Sequence, residues 1–115
     1  MLKEIDKAIW AHSRWKIHLK QAIETGESDF NVENTRNSHV CTFGQWLDSD
    51  VGKKLPEYDV VSKLHYDFHT EAANILELAL KGEASEATNK MQMGSKFNQL
   101  TAKLVNKLAE IDKST

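Results

Sequence analysis

The chain has 115 residues, of which 40% are hydrophobic and 28% charged. This balance is typical of one soluble globular domain, which we place at residues 1–115. Fifteen Lys and Arg against 17 Asp and Glu leave a net charge of -2, which excludes the strong positive field of a sequence-independent nucleic-acid binder. The sequence contains no apolar run long enough for a membrane span, and its first ten residues carry acidic side chains and no apolar stretch, so we do not expect them to be a signal peptide. One Cys excludes an internal disulfide and a Cys-rich zinc ribbon.

The first predicted element is a helix from residue 2 to about residue 25. Apolar side chains repeat there at helical spacing, and one histidine, His12, lies on the same face. Gly26 stands where a glycine would end this helix. Residues 27–40 are rich in Asn, Ser, Asp and Glu without a sustained period, and they predict a loop. A loop of that length in a small domain is commonly functional or disordered.

Three more elements follow the loop. The stretch Cys41–Leu47 predicts one or two helical turns packed on the core. A second long helix is predicted from Pro56 to about residue 80, and a third from about residue 87 to residue 112. The predicted fold class is therefore all-α: a four-helix bundle of three long helices plus the short helical segment around Cys41–Leu47.

Four side chains in this pattern are candidates for metal binding. His65 and His69 are four residues apart on the apolar face of the second long helix, so they can share one metal ion. The alternative is a pair of packed core histidines with polar partners. His12 faces the core, where alone it would be an ordinary buried histidine. Cys41 begins the short helical segment, where free amides favour a thiolate, although a single Cys is commonly an apolar filler.

Together these side chains predict a zinc site. Three imidazoles and one thiolate are a complete tetrahedral ligand set for Zn²⁺, and they suit zinc better than magnesium or calcium. The candidate ligands are therefore His12, Cys41, His65 and His69. Four protein ligands leave no open coordination position, so we expect a structural or sensory site and no enzyme activity. A zinc-bound water that catalyses a reaction is the alternative if Cys41 is not a ligand.

The other histidines fit this site less well. His18 is six residues past His12, about 120° away around the helix. His39 is two residues before Cys41, and it is either an alternative ligand or, more typically, a solvated loop histidine. A di-iron carboxylate site needs a carboxylate three or four residues from a histidine at characteristic positions, and the sequence has none there.

Three motif blocks resemble those of a known family. The blocks AHSRW (Ala11–Trp15), CTFGQW (Cys41–Trp46) and LHYDFH (Leu64–His69) are similar in order and spacing to those of the chemoreceptor zinc-binding (CZB) domain. In that family the zinc ligands are the His of the first block, the Cys of the second and both His of the third. These positions correspond to His12, Cys41, His65 and His69.

The resemblance implies a function as well as a site. CZB domains are zinc-binding helical bundles of the bacterial cytoplasm that regulate chemoreceptor signalling modules or diguanylate cyclases, and many are homodimers. Their cysteine is linked to redox sensing of hypochlorous acid and related oxidants. We therefore expect a regulatory zinc domain acting in chemotaxis or related signal transduction. A second possibility is a structural zinc bundle that mediates oligomerisation, in which the cysteine would be sealed from oxidants.

Overall fold

The computed structural model describes residues 3–114, which are helical throughout apart from turns and short connections. These residues form seven α-helices and one 3₁₀ turn, without a β-strand. The elements are α1 (Lys3–Ser13), α2 (Trp15–Thr25), α3 (Val32–Arg36), α4 (Thr42–Asp48), the 3₁₀ turn (Gly52–Lys54), α5 (Tyr58–Leu80), α6 (Ala84–Asn89) and α7 (Lys96–Ser114). The predicted all-α helical bundle is confirmed. No helix among the described residues combines the length and apolar character needed to cross a membrane.

The first predicted helix is present as α1 and α2. Arg14, between them, keeps helical dihedral angles, and its backbone N–H donates to the carbonyl of Trp10 at 3.1 Å. The chain therefore continues from α1 into α2 with only a local irregularity at Arg14. Gly26 adopts the left-handed conformation (φ 74°) and caps α2, as predicted. Leu2, which the pattern also assigned to this helix, lies outside the described residues.

The prediction that residues 27–40 are a loop is wrong in its centre, where α3 forms. Asn31 provides the N-cap of α3, because its side-chain oxygen accepts the backbone N–H of Asn34 at 2.7 Å. This helix packs against α5. The rest of the stretch is irregular, and it is ordered by short-range hydrogen bonds such as the one from the His39 N–H to the Asn37 side chain at 3.0 Å.

Two predicted helix starts are also corrected. The second long helix begins at Tyr58, after Pro56. The third begins at Lys96 instead of about residue 87, because Gly94 adopts φ 82° and separates α6 from α7. The Ser95 hydroxyl accepts the backbone N–H of Asn98 at 3.3 Å and caps the start of α7.

Four helices, α1, α2, α5 and α7, form what we call the frame. α5 lies against α2 and α7, and α1 lies against α7. Their facing side chains are removed from solvent, and each large one contributes about 1.5–3 kcal/mol through burial. The largest buried apolar side chains of the frame are Ile5, Leu19, Phe68, Ile75, Leu76, Phe97, Leu104 and Leu108. The frame therefore carries most of the hydrophobic core.

Residues 27–55 link α2 to α5, and we call them the connecting segment. It contains α3, which packs on α5, α4, which packs on α1, and the 3₁₀ turn, which packs on α4 and α5. Phe43, Leu47 and Leu55 anchor it to the core with 4–6% of their surface exposed. The segment thus lies across one side of the frame and brings Cys41 towards α1 and α5.

Candidate metal centre

The four predicted ligands converge at one point. One nitrogen or sulfur atom from each of His12, Cys41, His65 and His69 lies within 4.8 Å of the others. His12 is in the last turn of α1, Cys41 immediately precedes α4, and both other histidines are in the first half of α5. Each imidazole is only 2% exposed, whereas the thiol is half-buried.

Two of the imidazoles are oriented by backbone carbonyls. Nδ1–H of His12 donates to the carbonyl of Ala8 at 2.7 Å, one turn back in α1. Nδ1–H of His69 donates to the carbonyl of Thr35 in α3 at 2.8 Å. A carbonyl only accepts, so Nδ1 carries the proton in both rings and Nε2 presents its lone pair. This arrangement is typical of metal-binding histidines, in which the outer nitrogen is fixed by a hydrogen bond.

The candidate ligand atoms all lie within 4.8 Å of one another; one measured contact matches the edge of a tetrahedral zinc site, and two are shorter than that edge. Nε2 of His69 lies 3.4 Å from Nε2 of His12 and 3.0 Å from Nε2 of His65. The sulfur of Cys41 lies 3.2 Å from Nε2 of His65. A tetrahedron with Zn–N bonds of about 2.0–2.1 Å and a Zn–S bond of about 2.3 Å has edges of about 3.3–3.6 Å. The donor set and its close grouping therefore suit Zn²⁺.

Burial keeps the imidazoles in the neutral form that binds metals. The pKa of His12 is lowered to about 4 and that of His65 to about 2, mainly by desolvation and to a smaller extent by the neighbouring imidazoles; for His12 the hydrogen bond to Ala8 acts in the opposite direction. The pKa of His69 is also lowered by burial, against an opposing effect of its bond to Thr35. At neutral pH all three side chains can therefore offer a lone pair without first losing a proton.

Cys41 experiences two opposing influences. Burial raises the pKa of its thiol, whereas the backbone N–H groups of Gly44 and Phe43 lower it. Its sulfur is the N-cap of α4 and accepts the Gly44 N–H at 3.3 Å, which confirms its predicted place at a helix start. Because desolvation is the larger effect, the thiolate needs a cation beside it to be stable in this position.

Gly44 is required by a close backbone approach. A Cβ atom at this position would lie 1.8 Å from the carbonyl oxygen of Ser38, far inside van der Waals contact. The backbone of Gly44 has no positive φ angle, so the reason for glycine here is space and not conformation. The backbone at Ser38 can therefore pass close to the first turn of α4 only because Gly44 has no side chain.

Aromatic rings form the apolar walls of the cluster. The Phe43 ring lies 5.2 Å from the His65 ring and 5.9 Å from the His12 ring. Phe68 lies 5.1 Å from the His12 ring on another side. These walls supply the burial that lowers the histidine pKa values, and they leave the facing nitrogen and sulfur atoms as the polar centre of the cluster.

The other two histidines lie outside the cluster. His18 packs against the rings of Trp15 and Phe30. His39 is exposed, and its Nδ1 lies 2.8 Å from a carboxylate oxygen of Asp48. The Thr35 carbonyl that orients His69 was not predicted from the sequence. The available signal was Asn31, a preferred N-cap residue, which marks the start of the helix that carries Thr35.

A helical bundle that gathers three buried imidazoles and one thiol defines a metal-binding domain of the zinc type. The chain belongs to the chemoreceptor zinc-binding domain (CZB) family, whose model matches residues 12–76, more than half of the chain and including all four side chains of the cluster. Zinc is thus the metal implied both by the family and by the donor set. No curated protein and no solved structure matches the chain.

Proposed function

We propose that residues 1–115 form a single regulatory domain whose zinc ligands are Nε2 of His12, His65 and His69 and the sulfur of Cys41. One observation carries this proposal. The unprotonated Nε2 atoms of His12 and His69 face each other at 3.4 Å in a buried site. Two lone pairs at that distance repel each other unless a cation lies between them. A metal ion between the two nitrogens relieves this repulsion, and the lowered pKa values of both rings disfavour a shared proton at neutral pH.

The number of donors supports a role without catalysis. Three imidazoles and one thiolate fill the four positions of tetrahedral zinc, so no position is left for a water or a substrate. We infer that the domain has no catalytic activity of its own. We infer that its output is a change in a signalling partner of the chemoreceptor or diguanylate cyclase type in the bacterial cytoplasm, on the same chain or on another, and that the domain acts as a homodimer; membership of the CZB family supports this inference.

The sensing chemistry is assigned to Cys41. When bound, zinc keeps this sulfur as a thiolate, the form that oxidants attack. Hypochlorous acid transfers its oxygen to the thiolate, giving a sulfenic acid and a chloride ion. The sulfur then loses its negative charge and its value as a ligand. Cys41 is also the only half-buried member of the cluster, so it is the donor that a reagent in solvent can reach.

The structural consequence is expected in the connecting segment. The three histidines are in α1 and α5, two helices of the frame, whereas Cys41 caps α4. Oxidation of the sulfur weakens its contacts with Nε2 of His65 and with the Gly44 N–H. The segment around α4 is then free to move while the frame stays folded, and this movement is the proposed signal to the partner.

The proposal is tested by measuring metal content before and after treatment with hypochlorous acid. The wild-type chain is expected to bind one zinc ion and to release it on oxidation, whereas Cys41→Ala binds zinc more weakly and does not respond to the oxidant. His39→Ala is the matched control, because this exposed histidine lies outside the cluster. A wild-type chain without zinc contradicts the proposed site. Zinc that survives oxidation supports the structural role instead.

A further inference from the structure

Two surface openings reach the cluster, and they differ in what they expose. The wide opening has a volume of about 440 Å³ and lies between α1, α2 and α3; its walls include His12, Cys41 and His69. The narrow opening has a volume of about 130 Å³ and lies between α4 and α5; of the four cluster residues it touches His65 alone. The two openings therefore give unequal access to the donor atoms.

We propose that zinc and small reagents reach and leave the cluster through the wide opening. This inference rests on the zinc site proposed above and concerns the rates of exchange at that site. The wide opening touches three of the four proposed ligands, and Cys41 is among them. Its volume falls in the range of about 300–1,000 Å³ that is usual for small-molecule sites. A chelator or an oxidant can therefore enter it and meet the sulfur directly.

The narrow opening lacks these properties. Cys41 is not among its lining residues, so a reagent there meets the His65 imidazole instead of the sulfur. Nε2 of that ring is turned inwards, 3.0 Å from Nε2 of His69 and 3.2 Å from the sulfur. The mouth is flanked by His39 and Asp48, whose side chains lie 2.8 Å apart. The geometry thus shields the donor atoms on this side.

Phe30 is one of the exposed side chains that line the wide opening. Its ring lies 4.8 Å from the ring of Trp15, and both line the opening. Phe30 is 40% exposed and belongs to the connection between α2 and α3. Asn34 and Thr35 form the opposite part of the lining in α3. Removing the Phe30 ring should enlarge the opening without touching a proposed ligand.

Two rates test the proposal. One is the transfer of zinc from the loaded protein to EDTA, and the other is alkylation of Cys41 by iodoacetamide in the zinc-free protein. Ala11 is exposed and lines the wide opening, so Ala11→Trp is expected to lower both rates several-fold. The equilibrium zinc affinity should stay the same, because a narrower path slows binding and release equally. Phe30→Ala is expected to raise both rates, and it remains informative if the tryptophan variant does not fold.

Two variants serve as controls. Lys16→Trp adds the same ring at an exposed position of α2 that lines neither opening, and Ser62→Trp places it in the narrow opening. Neither is expected to change the rates. Slower exchange in Ser62→Trp with normal exchange in Ala11→Trp would overturn the proposal, as would unchanged rates in both Ala11→Trp and Phe30→Ala. If the wild type bound no zinc, the zinc site would fail, but the alkylation rates would still test the opening.

Discussion

The frame and the connecting segment are ordered by different forces. In the frame, side chains such as Phe68, Leu76 and Leu104 are completely buried. In the connecting segment, many contacts are polar and local, including the Asn31 cap of α3, the sulfur cap of α4 and the bond from Arg36 to Asn74 at 2.8 Å. Such hydrogen bonds contribute about 0.5–1.5 kcal/mol each, which is less than a large buried side chain.

This difference gives the four proposed ligands unequal support, because three lie on the frame and one on the connecting segment. The three histidines lie on the packed helices α1 and α5 and are nearly inaccessible to solvent, and the His69 ring also donates to Thr35 of the connecting segment. Cys41 is held by a segment whose α4 anchors through Phe43 and Leu47 and whose approach to Ser38 depends on Gly44. A change at the Cys41 sulfur should therefore alter the structure of the connecting segment more than that of the frame.

The largest effect is expected from Phe68→Ala. This ring is completely buried in α5 and packs against Phe97 at 5.5 Å and His12 at 5.1 Å. Removing it leaves a cavity, so the free energy of unfolding of the zinc-free protein should fall by about 3–5 kcal/mol. Denaturant titration followed by circular dichroism measures this change.

Phe30→Ala is the control for the loss of an aromatic ring outside the frame. That ring is 40% exposed, so its removal should cost much less stability. If both variants lost the same free energy of unfolding, the side chains of the frame would contribute no more to stability than those of the connecting segment.

An intermediate effect on the free energy of unfolding is expected when the pH of the zinc-free protein is lowered. Burial lowers the pKa of His12 to about 4 and that of His65 to about 2, below the ordinary value of 6.5. The unfolded chain therefore takes up protons first as the pH falls below 6.5. Stability is fully present above that pH and is lost as the pH falls towards 4, by at most about 1.4 kcal/mol per pH unit for each such histidine.

Unfolding titrations of the zinc-free chain between pH 7.5 and pH 5 measure this slope. His12→Gln removes one of the buried imidazoles and should reduce it. A stability that is constant or that rises over this range would contradict the proposed neutral, buried cluster. Protons also compete with the metal for the same lone pairs. Zinc release should therefore increase as the pH falls.

The sequence predicted the features that depend on the periodic spacing of side chains along a helix. It did not predict those that depend on hydrogen bonds from backbone groups. His12, His65 and His69 could be predicted because helical periodicity placed each of them on a buried face. The partner of His69 was not predicted, since the Thr35 carbonyl is a backbone group; the sequence marks only the start of its helix, through the N-cap residue Asn31. The Gly94–Ser95 pair did carry a signal, a left-handed glycine followed by a capping serine, that marks the start of α7.

The smallest effect on the frame, together with a large effect on zinc, is expected from Gly44→Ala. The new Cβ would lie 1.8 Å from the Ser38 carbonyl oxygen, so the chain before Cys41 must shift and the sulfur with it. Displacing the surroundings of a ligand commonly costs about 10–100-fold in metal affinity. Competition with a chelator of known affinity measures this loss, and circular dichroism should show the frame still folded.

Gly26→Ala should give the opposite result. Gly26 has φ 74° and no neighbouring atom within 4 Å of a Cβ, so its cost is the strain of the left-handed backbone, about 1–2 kcal/mol at the end of α2. That change weakens the frame and leaves the zinc ligands in place. If the two glycine variants instead lost zinc affinity and stability in the same proportion, the connecting segment and the frame would fold as one unit. Oxidation of Cys41 could not then release one of them without unfolding the other.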